Sequence, residues 1–306
     1  MSPRALSNDG PETTAHVTVH AGADSNSVDL GVVTIPAGDS DFQFLVPVTS
    51  LSLSNVVAGN DGWLIAAPTV TLSAQDFSGR NIQQTEYGPN EDNWTIYTGP
   101  FSYTPEGATT LFFRSLDYAA NLEDPKSAPF HIDTRAPVVD ATTAQGQYTR
   151  VQSFTVQYSA SDPVPGSGLE SVLANIDGTA VASGAAFDLF WIPLGTHTLS
   201  VKAEDVAGWT TSDSASFAII ATIDSLPELI RELRRRGEID SDGSMKSLLA
   251  KAENALKSYN SGKLTPAQNQ LDAIINEATA QSGKHLCARG ATLLIGDVQY
   301  VKAHLG

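Results

Sequence analysis

The first 220 or so residues of the chain alternate apolar and polar positions in short runs. A period of two is typical of half-buried β-strands. Several runs end in an aspartate followed by small residues, which favours a turn. One such pair lies at Asp117 and Asp205, and a second pair lies upstream at Asp76 and Asp162. The members of each pair are 88 and 86 residues apart, which indicates an internal repeat of the size of a seven-stranded β-sandwich.

The repeat predicts two all-β, Ig-like sandwiches in tandem, one in residues 59–137 and one in 138–221. The segment between them ends in Ala136-Pro137. Proline fixes its own φ and keeps the preceding residue extended, so we expect a short, stiff linker. Residues 1–58 combine a polar tail with a few alternating runs, which predict a small or partial β-unit.

The apolar period changes from two to about 3.6 at Ile223, which marks the start of amphipathic helices. The pattern predicts four of them, near 225–236, near 242–259, from Thr265-Pro266 to about Gly283, and from about Cys287 to Leu305. Four such helices with short connections form an antiparallel bundle. The predicted fold is therefore multidomain, with tandem sandwiches followed by an all-α four-helix bundle in residues 222–306.

Charge is divided unevenly along the chain. Residues 223–306 carry ten acidic and eleven basic side chains, a net charge of +1, so the residues before them carry −17 of the total of −16. An acidic front disfavours nucleic acid and anionic membrane surfaces, and we expect neither as a partner. No apolar run approaches the ~20 residues that span a bilayer, so membrane insertion is not expected.

Residues 59–137 resemble the Ig-like, fibronectin-like modules of bacterial extracellular proteins. The resemblance is carried by Thr85-Glu86-Tyr87, by Thr98-Gly99-Pro100-Phe101, and by the turn 117–121 followed by Ile132-Asp133-Thr134. Ala120 is a departure, because such modules usually have glycine there. The resemblance implies a secreted or cell-surface bacterial protein. Residues 1–4 lack the apolar segment of a signal peptide, so we expect the chain to be a piece of a longer exported protein.

Residues 224–305 resemble the helical domain called FIMAH, found at the C-terminus of bacterial surface and secreted proteins. The motifs that carry this resemblance are Gly237-Glu238-Ile239, Ser247–Lys251, Ala273–Glu277 and Gln281–Leu286. The resemblance implies an accessory module and no particular chemistry.

Motifs of catalysis are missing from the sequence. None of the six histidines lies beside a nucleophile motif, and there is no phosphate loop or dinucleotide fingerprint. Cys287 falls on a predicted apolar helix face, where a buried thiol is inert. Residues 238–243 imitate the start of an EF-hand loop, but Leu249 stands where that loop needs a glutamate. We therefore expect no enzyme here, although the chain could be the accessory part of a larger secreted hydrolase.

The repeat suggests one candidate metal site. In a fibronectin-like topology the second and sixth strands end at the same pole of the sandwich, which brings Asp162 and Asp205 together. Asp133 of the linker enters near that pole. Three carboxylates suit a structural calcium ion that stiffens the joint, and the alternative is that each aspartate only caps its own turn. The corresponding residues of the first repeat are Asp61, Asp76 and Asp117.

Aromatic residues suggest a second candidate site. Trp63, Trp94, Tyr97 and Tyr103 could form a platform on which sugars stack, and the alternative is ordinary packing in the sandwich core.

Two functions remain open at this point. One is a non-catalytic accessory region that acts as a spacer, in adhesion or in carbohydrate targeting, with a polysaccharide or cell-wall glycan as partner. The other is a self-assembling subunit of a surface layer or filament, with copies of itself as partners. A glycan array and a measurement of oligomeric state separate them.

Overall fold

The computed structural model describes residues 13–20, 27–35, 46–76, 80–143 and 146–305. The chain forms two compact units, one of Met1–Thr134 with Val164–Ser167 and one of Arg135–Pro163 with Gly168–Gly306. We call the sandwich of the first unit module 1, the sandwich of the second unit module 2, and the four C-terminal helices the bundle. The predicted polar tail lies outside the described residues.

The strands of the first unit are β1 (Thr13–His20), β2 (Ser27–Ile35), β3 (Val48–Ser54), β4 (Thr69–Gln75), β5 (Ile82–Asn90), β6 (Asn93–Ile96), β7 (Phe101–Ser102), β8 (Gly107–Asp117) and β9 (Lys126–Ile132). Strands β1 and β2 form an antiparallel pair. Module 1 consists of two sheets, with strand orders β3-β4-β7 and β6-β5-β8-β9. The described part of module 1 thus has the seven strands that its length predicts.

Module 1 begins earlier than the sequence pattern predicts. Strand β3 pairs with β4 along its whole length, from Val48 opposite Gln75 to Ser54 opposite Thr69. Leu51 of β3 also packs against the core of the module. The predicted boundary at residue 59 therefore cuts through the sandwich, because alternation within β3 does not reveal which strand it pairs with.

The strands of the second unit are β10 (Val138–Thr142), β11 (Gln147–Thr149), β12 (Phe154–Thr155), β13 (Gln157–Ser161), β14 (Leu169–Ile176), β15 (Thr179–Ala180), β16 (Ala186–Phe187), β17 (Gly195–Asp205) and β18 (Thr210–Ile220). They form a five-stranded sheet, β11-β18-β17-β14-β15, and the pairs β10-β13 and β12-β16. The turn Asp177-Gly178 joins β14 to β15 with positive φ values of 48° and 87°, the conformation that an Asp-Gly pair favours in a two-residue hairpin.

One predicted strand of module 2 is broken. Residues 154–161 alternate without interruption, yet β12 pairs with β16 and β13 pairs with β10. At the break, Val156 bonds the backbone of Gly184 and Ala185 instead of either partner strand. Val156 and Phe154 are both buried in the same core. The alternation continues through the break because the chain changes the strand with which it pairs while its apolar side chains keep facing the same core.

The helices of the bundle are α1 (Leu226–Arg235), α2 (Asp242–Asn260), α3 (Leu264–Gln281) and α4 (Ala288–Ala303). All four lie where the apolar period predicts them. Ser241 is the N-cap of α2, with its side chain accepting from Ser244 N. Helix α3 begins at Leu264, one residue before the predicted cap Thr265, and the N-cap position is Lys263.

Module 2 contributes residues to the hydrophobic core of the bundle. Two adjacent residues of module 2 are divided between cores: Leu189 belongs to the core of the sandwich, and Phe190 belongs to that of the bundle. Both are at most 1% exposed. Ala221, where the last strand of module 2 ends, also belongs to the core of the bundle. Residues 222–306 therefore do not enclose their core alone, because Phe190 and Ala221 from before residue 222 belong to it.

A buried ion pair also links module 2 to the bundle. Arg150 Nε donates to both carboxylate oxygens of Asp297 at 2.9 Å. Arg150 Nη1 donates to the carbonyl oxygens of Phe190, at 3.1 Å, and of Ile192. Arg150 is 8% exposed and Asp297 is 2% exposed. Their separation of 147 residues explains why sequence patterns gave no sign of this pair.

Candidate metal centre

The loop between β13 and β14 organises the candidate centre. Asp162 is its first residue, and its Oδ2 accepts a hydrogen bond from Gly168 N at 2.7 Å. Gly168 has a φ of 86°, a conformation that favours glycine because it has no Cβ. The other oxygen, Asp162 Oδ1, is buried and accepts no hydrogen bond in the described structure. A buried carboxylate oxygen without a donor is costly unless a cation neutralises it.

Asp205 lies at the end of β17 and is 1% exposed. Its Oδ1 accepts from Trp209 N at 2.8 Å. Leu169 stands opposite Asp205 in the β14–β17 register, and Val206 N donates to Gly168 O at 2.9 Å. The turn after β17 is therefore bonded to the end of the Asp162 loop. The two strands place Asp162 and Asp205 at the same pole, as the predicted topology requires.

Asp133 follows β9 and is fully buried. Its backbone N–H donates to Leu64 O at 2.9 Å, and its Oδ2 accepts from Ser167 N at 2.7 Å. Ser167 and Gly168 thus donate consecutive amides to Asp133 and Asp162. One carboxylate oxygen from each of Asp133, Asp162 and Asp205 lies within 4.8 Å of the others. The three residues named from the sequence do come together.

Three carboxylates at this spacing repel one another unless a positive charge lies among them. Hard oxygen ligands with backbone carbonyls nearby are the donors that calcium prefers. Arg135 Nη2 donates to Pro163 O at 3.1 Å, so a guanidinium also lies one residue from Asp162. The cluster can therefore hold calcium, or it can be neutralised by this arginine.

The corresponding acids of module 1 are placed differently. Asp117 Oδ1 accepts from the backbone of Ala119 and Asn121 at 2.8 and 2.9 Å, and its Oδ2 accepts from Asn121 Nδ2 at 2.8 Å. Burial opposes the charge of Asp117, but the hydrogen bonds from Asn121 and Ala119 outweigh it and hold the pKa of this carboxyl below its usual value. Asp76 Oδ2 accepts from Arg80 N at 2.8 Å.

Within the described ranges, Asp133, Asp162 and Asp205 form the one group of three metal-ligating side chains. Asp61, Asp76 and Asp117 do not form a second group. The alternative role of turn capping describes Asp117 well.

The four aromatic residues proposed for sugar stacking have different partners. The Trp63 ring lies 5.3 Å from the His131 ring. The guanidinium of Arg114 covers the Trp94 ring at 4.0 Å. Trp63 and Trp94 each therefore have a side-chain partner within module 1.

Tyr97 and Tyr103 belong to the packing of module 1. Tyr97 packs edge-on against Phe101 at 6.3 Å. Tyr103 is 7% exposed, lies 4.4 Å from the Phe130 ring, and donates its hydroxyl to Thr109. The alternative of core packing fits both residues.

Two residues of the bundle, Cys287 and Arg236, have surroundings that the sequence did not predict. Cys287 is exposed, and it is the N-cap of α4 rather than a buried residue on its apolar face. Arg236 at the end of α1 donates to Asp188 of module 2 at 2.7 and 3.0 Å and lies 4.2 Å from the Phe190 ring. Arg236 therefore does more than place a favourable positive charge at the C-terminal end of a helix.

The class of this protein follows from its own strand pairing: Ig-like β-sandwich modules in tandem, followed by a four-helix bundle. No family model matches the chain, so the resemblance of residues 224–305 to FIMAH stays a prediction. No curated protein matches it either. None of the helices described is long and apolar enough to cross a membrane.

Three solved structures illustrate the likeness in fold. Fibronectin(III)-like modules of Clostridium thermocellum CbhA match 56% of this chain and 94% of their own, at 16% identity and a TM-score of 0.25. The extracellular domain of protocadherin gamma B4 matches 72% and 43%, at 12% identity and a TM-score of 0.33. A Ca²⁺-stabilized adhesin from an Antarctic bacterium matches 68% and 56%, at 18% identity and a TM-score of 0.25.

Proposed function

We propose that this chain is a non-catalytic accessory region of a secreted or cell-surface bacterial protein, and that it acts as a spacer in adhesion. Calcium stabilises it at Asp133, Asp162 and Asp205. The observation that carries the proposal is the cluster of the Asp133, Asp162 and Asp205 carboxylates, in which Asp162 Oδ1 is buried without a donor. A spacer exposed to force needs its modules to stay folded, and a bound ion stabilises the folded state alone.

The size of the stabilisation follows from mass action. Calcium sites of extracellular modules have dissociation constants of about 0.1–1 mM. At ten times Kd, a ligand that binds only the folded state stabilises it by about 1.4 kcal/mol. That corresponds to a rise in melting temperature of a few degrees for the second unit, whose length is roughly 170 residues.

The test compares melting of the full chain in 5 mM calcium with melting in chelator, together with titration calorimetry. We expect calcium to raise the melting temperature. In the calorimetric titration we expect a heat of binding and a dissociation constant in the millimolar range or lower. Asp162→Asn should remove both effects, because an amide keeps the hydrogen bond to Gly168 N but offers a weaker ligand.

Asp76→Asn is the matched control, since Asp76 occupies the equivalent position of module 1. It should leave the calcium effect unchanged. If neither variant nor chelator alters melting and no heat of binding appears, the calcium site is wrong, and Arg135 is the cation that neutralises the cluster.

A further inference from the structure

A cavity of ≈ 340 Å³ opens where the last strand of module 2 continues into the bundle. Its lining comes from the strands of module 2, from the connection to α1, and from the ends of α2 and α4. The lining residues used below are Gln147, Thr222, Asp224, Tyr259, Tyr300 and His304. The volume falls within the range of about 300–1,000 Å³ typical of small-molecule sites, which often lie at junctions between domains.

Two tyrosines on different helices line the cavity. Tyr259, near the end of α2, is 39% exposed. The ring of Tyr300, near the end of α4, is half-buried and stacks on the His304 ring with 4.1 Å between centroids and 22° between planes. Rings that line an open cavity offer an apolar surface whose burial by a ligand is favourable.

Two polar groups of the cavity, Thr222 and His304, are held by hydrogen bonds. The Thr222 hydroxyl accepts from Ser225 N at 3.2 Å and caps the short helical turn Ile223–Ser225, whose first turn carries Asp224. His304 Nδ1 is bonded to Tyr300 O at 2.8 Å. A carbonyl oxygen only accepts, so Nδ1 carries a proton, which leaves Nε2 as the ring nitrogen that can bond a ligand. Gln147 adds an amide that both donates and accepts.

We propose that this cavity binds one neutral pyranose unit of a glycan. A pyranose has an apolar face of C–H groups, which suits the Tyr259 and Tyr300 rings, and a rim of hydroxyls, which suits Asp224, Gln147 and His304. Asp224, a carboxylate in the lining, disfavours acidic sugars and phosphorylated ligands. The choice of a glycan rests on the proposed adhesive function, and it gives that function a ligand class.

Saturation-transfer NMR on the full chain tests the site, with the methyl β-pyranosides of glucose, galactose and mannose as probes. We expect transfer from the protein to at least one probe, with a millimolar dissociation constant. Tyr259→Ala and Asp224→Asn should each weaken binding about tenfold, the effect of removing one stacking or charged hydrogen-bonding group. Both residues are exposed, so the variants should melt like the parent chain. Tyr300→Ala adds a check on the second ring, provided that its melting is unchanged.

Tyr118→Ala is the matched control, because Tyr118 is 70% exposed and lies in module 1. It should bind the probe as the parent chain does. The proposal is overturned if no probe receives saturation, or if binding is equal in the parent chain and in the Tyr259 and Asp224 variants. Sugar binding without a calcium effect on melting would refute only the calcium function, and a calcium effect without sugar binding would refute only this cavity.

Discussion

Modules 1 and 2 repeat one turn and surround it differently. In both, the aspartate that ends the sixth strand of the repeat donates its backbone N–H to the residue four positions on, at 3.2 Å from Asp117 to Asn121 and at 3.1 Å from Asp205 to Trp209. Both carboxylates also accept the N–H of that fourth residue. The backbone of the turn therefore repeats with little change.

The fourth residue decides what else the carboxylate bonds. Asn121 adds a side-chain amide that donates to Asp117 Oδ2, whereas the indole of Trp209 stands at that position in module 2. Asp205 instead lies beside Asp133 and Asp162. One turn is closed by its own side chain, and the other supplies a carboxylate to a shared cluster. A repeated motif thus fixes the backbone but leaves the function of its acid to its neighbours.

The two modules also differ in the hydrophobic cores to which their residues contribute. Module 2 contributes Phe190 to the core of the bundle and Arg150 to the buried pair with Asp297, while the core of module 1 consists of its own residues. We expect this difference to dominate stability measurements, so the tests below begin with it.

Arg150→Ala should produce the largest effect. Removing one partner leaves the Asp297 carboxylate buried without a counter-charge and frees two carbonyls, which costs about 3–5 kcal/mol. Calorimetry should show a lower transition for the second unit and an unchanged one for the first. Arg114→Ala is the control in module 1, where the pair with Glu86 is nearer to solvent and Glu86 keeps the hydrogen bond from Gln84, so the loss of stability should be smaller. Equal losses of stability in the two variants would contradict the larger role of the Arg150–Asp297 pair.

The pH dependence of the second unit should differ from that of the first, because Asp297 of the bundle is buried. Burial raises the pKa of Asp297 from 3.8 to about 6, although Arg150 lowers it in part. The folded state then binds a proton that the unfolded state has released, so stability falls as the pH rises from about 4 to 6. A shift of this size corresponds to roughly 3 kcal/mol. Asp297→Asn should flatten this slope in urea titrations of the second unit, and an unchanged slope would assign it to another group.

Much of the architecture was predictable because it depends on local periodicity. The four helices, the two-residue hairpin at Asp177-Gly178 and the pole shared by Asp162 and Asp205 all follow from apolar spacing and turn chemistry. The misplacement of β3 and the break at Val156 concern which strand pairs with which, and alternation is silent on that. The exposure of Cys287 was missed because the helix begins one residue after it, at a cap rather than on a face.

The contacts that join module 2 to the bundle were not predictable for a different reason. Arg150 and Asp297 are ordinary polar residues of a strand connection and a helix until the fold buries them together. The Tyr259 and Tyr300 rings likewise belong to separate helices and share a cavity only through packing. Long-range juxtaposition of this kind has no period in the sequence.

Asn121→Ala should have an intermediate effect, confined to module 1. It removes the amide that donates to the buried Asp117 Oδ2, and an unsatisfied buried acceptor costs about 1–3 kcal/mol. The pKa of Asp117 should then rise toward its ordinary value, since one of the bonds that lowers it is lost. NMR titration of this carboxyl together with calorimetry checks both effects, and a stable variant with an unshifted pKa would show that Asn121 Nδ2 is not its donor.

The smallest effect concerns Ala120, the residue before Asn121. Ala120 has a φ of 64° and Gly208, its counterpart in module 2, has a φ of 98°. A left-handed conformation costs a residue with a Cβ about 1 kcal/mol or more, but glycine loses more entropy on folding. Ala120→Gly should therefore stabilise module 1 by about 0.5 kcal/mol. Gly208→Ala should destabilise module 2 by about 1 kcal/mol or more, because its φ lies farther from values that alanine adopts.

Denaturant titrations of the two single variants and of the double exchange measure this asymmetry. Equal and opposite changes would show that the two turns are interchangeable, and that surroundings alone distinguish the modules.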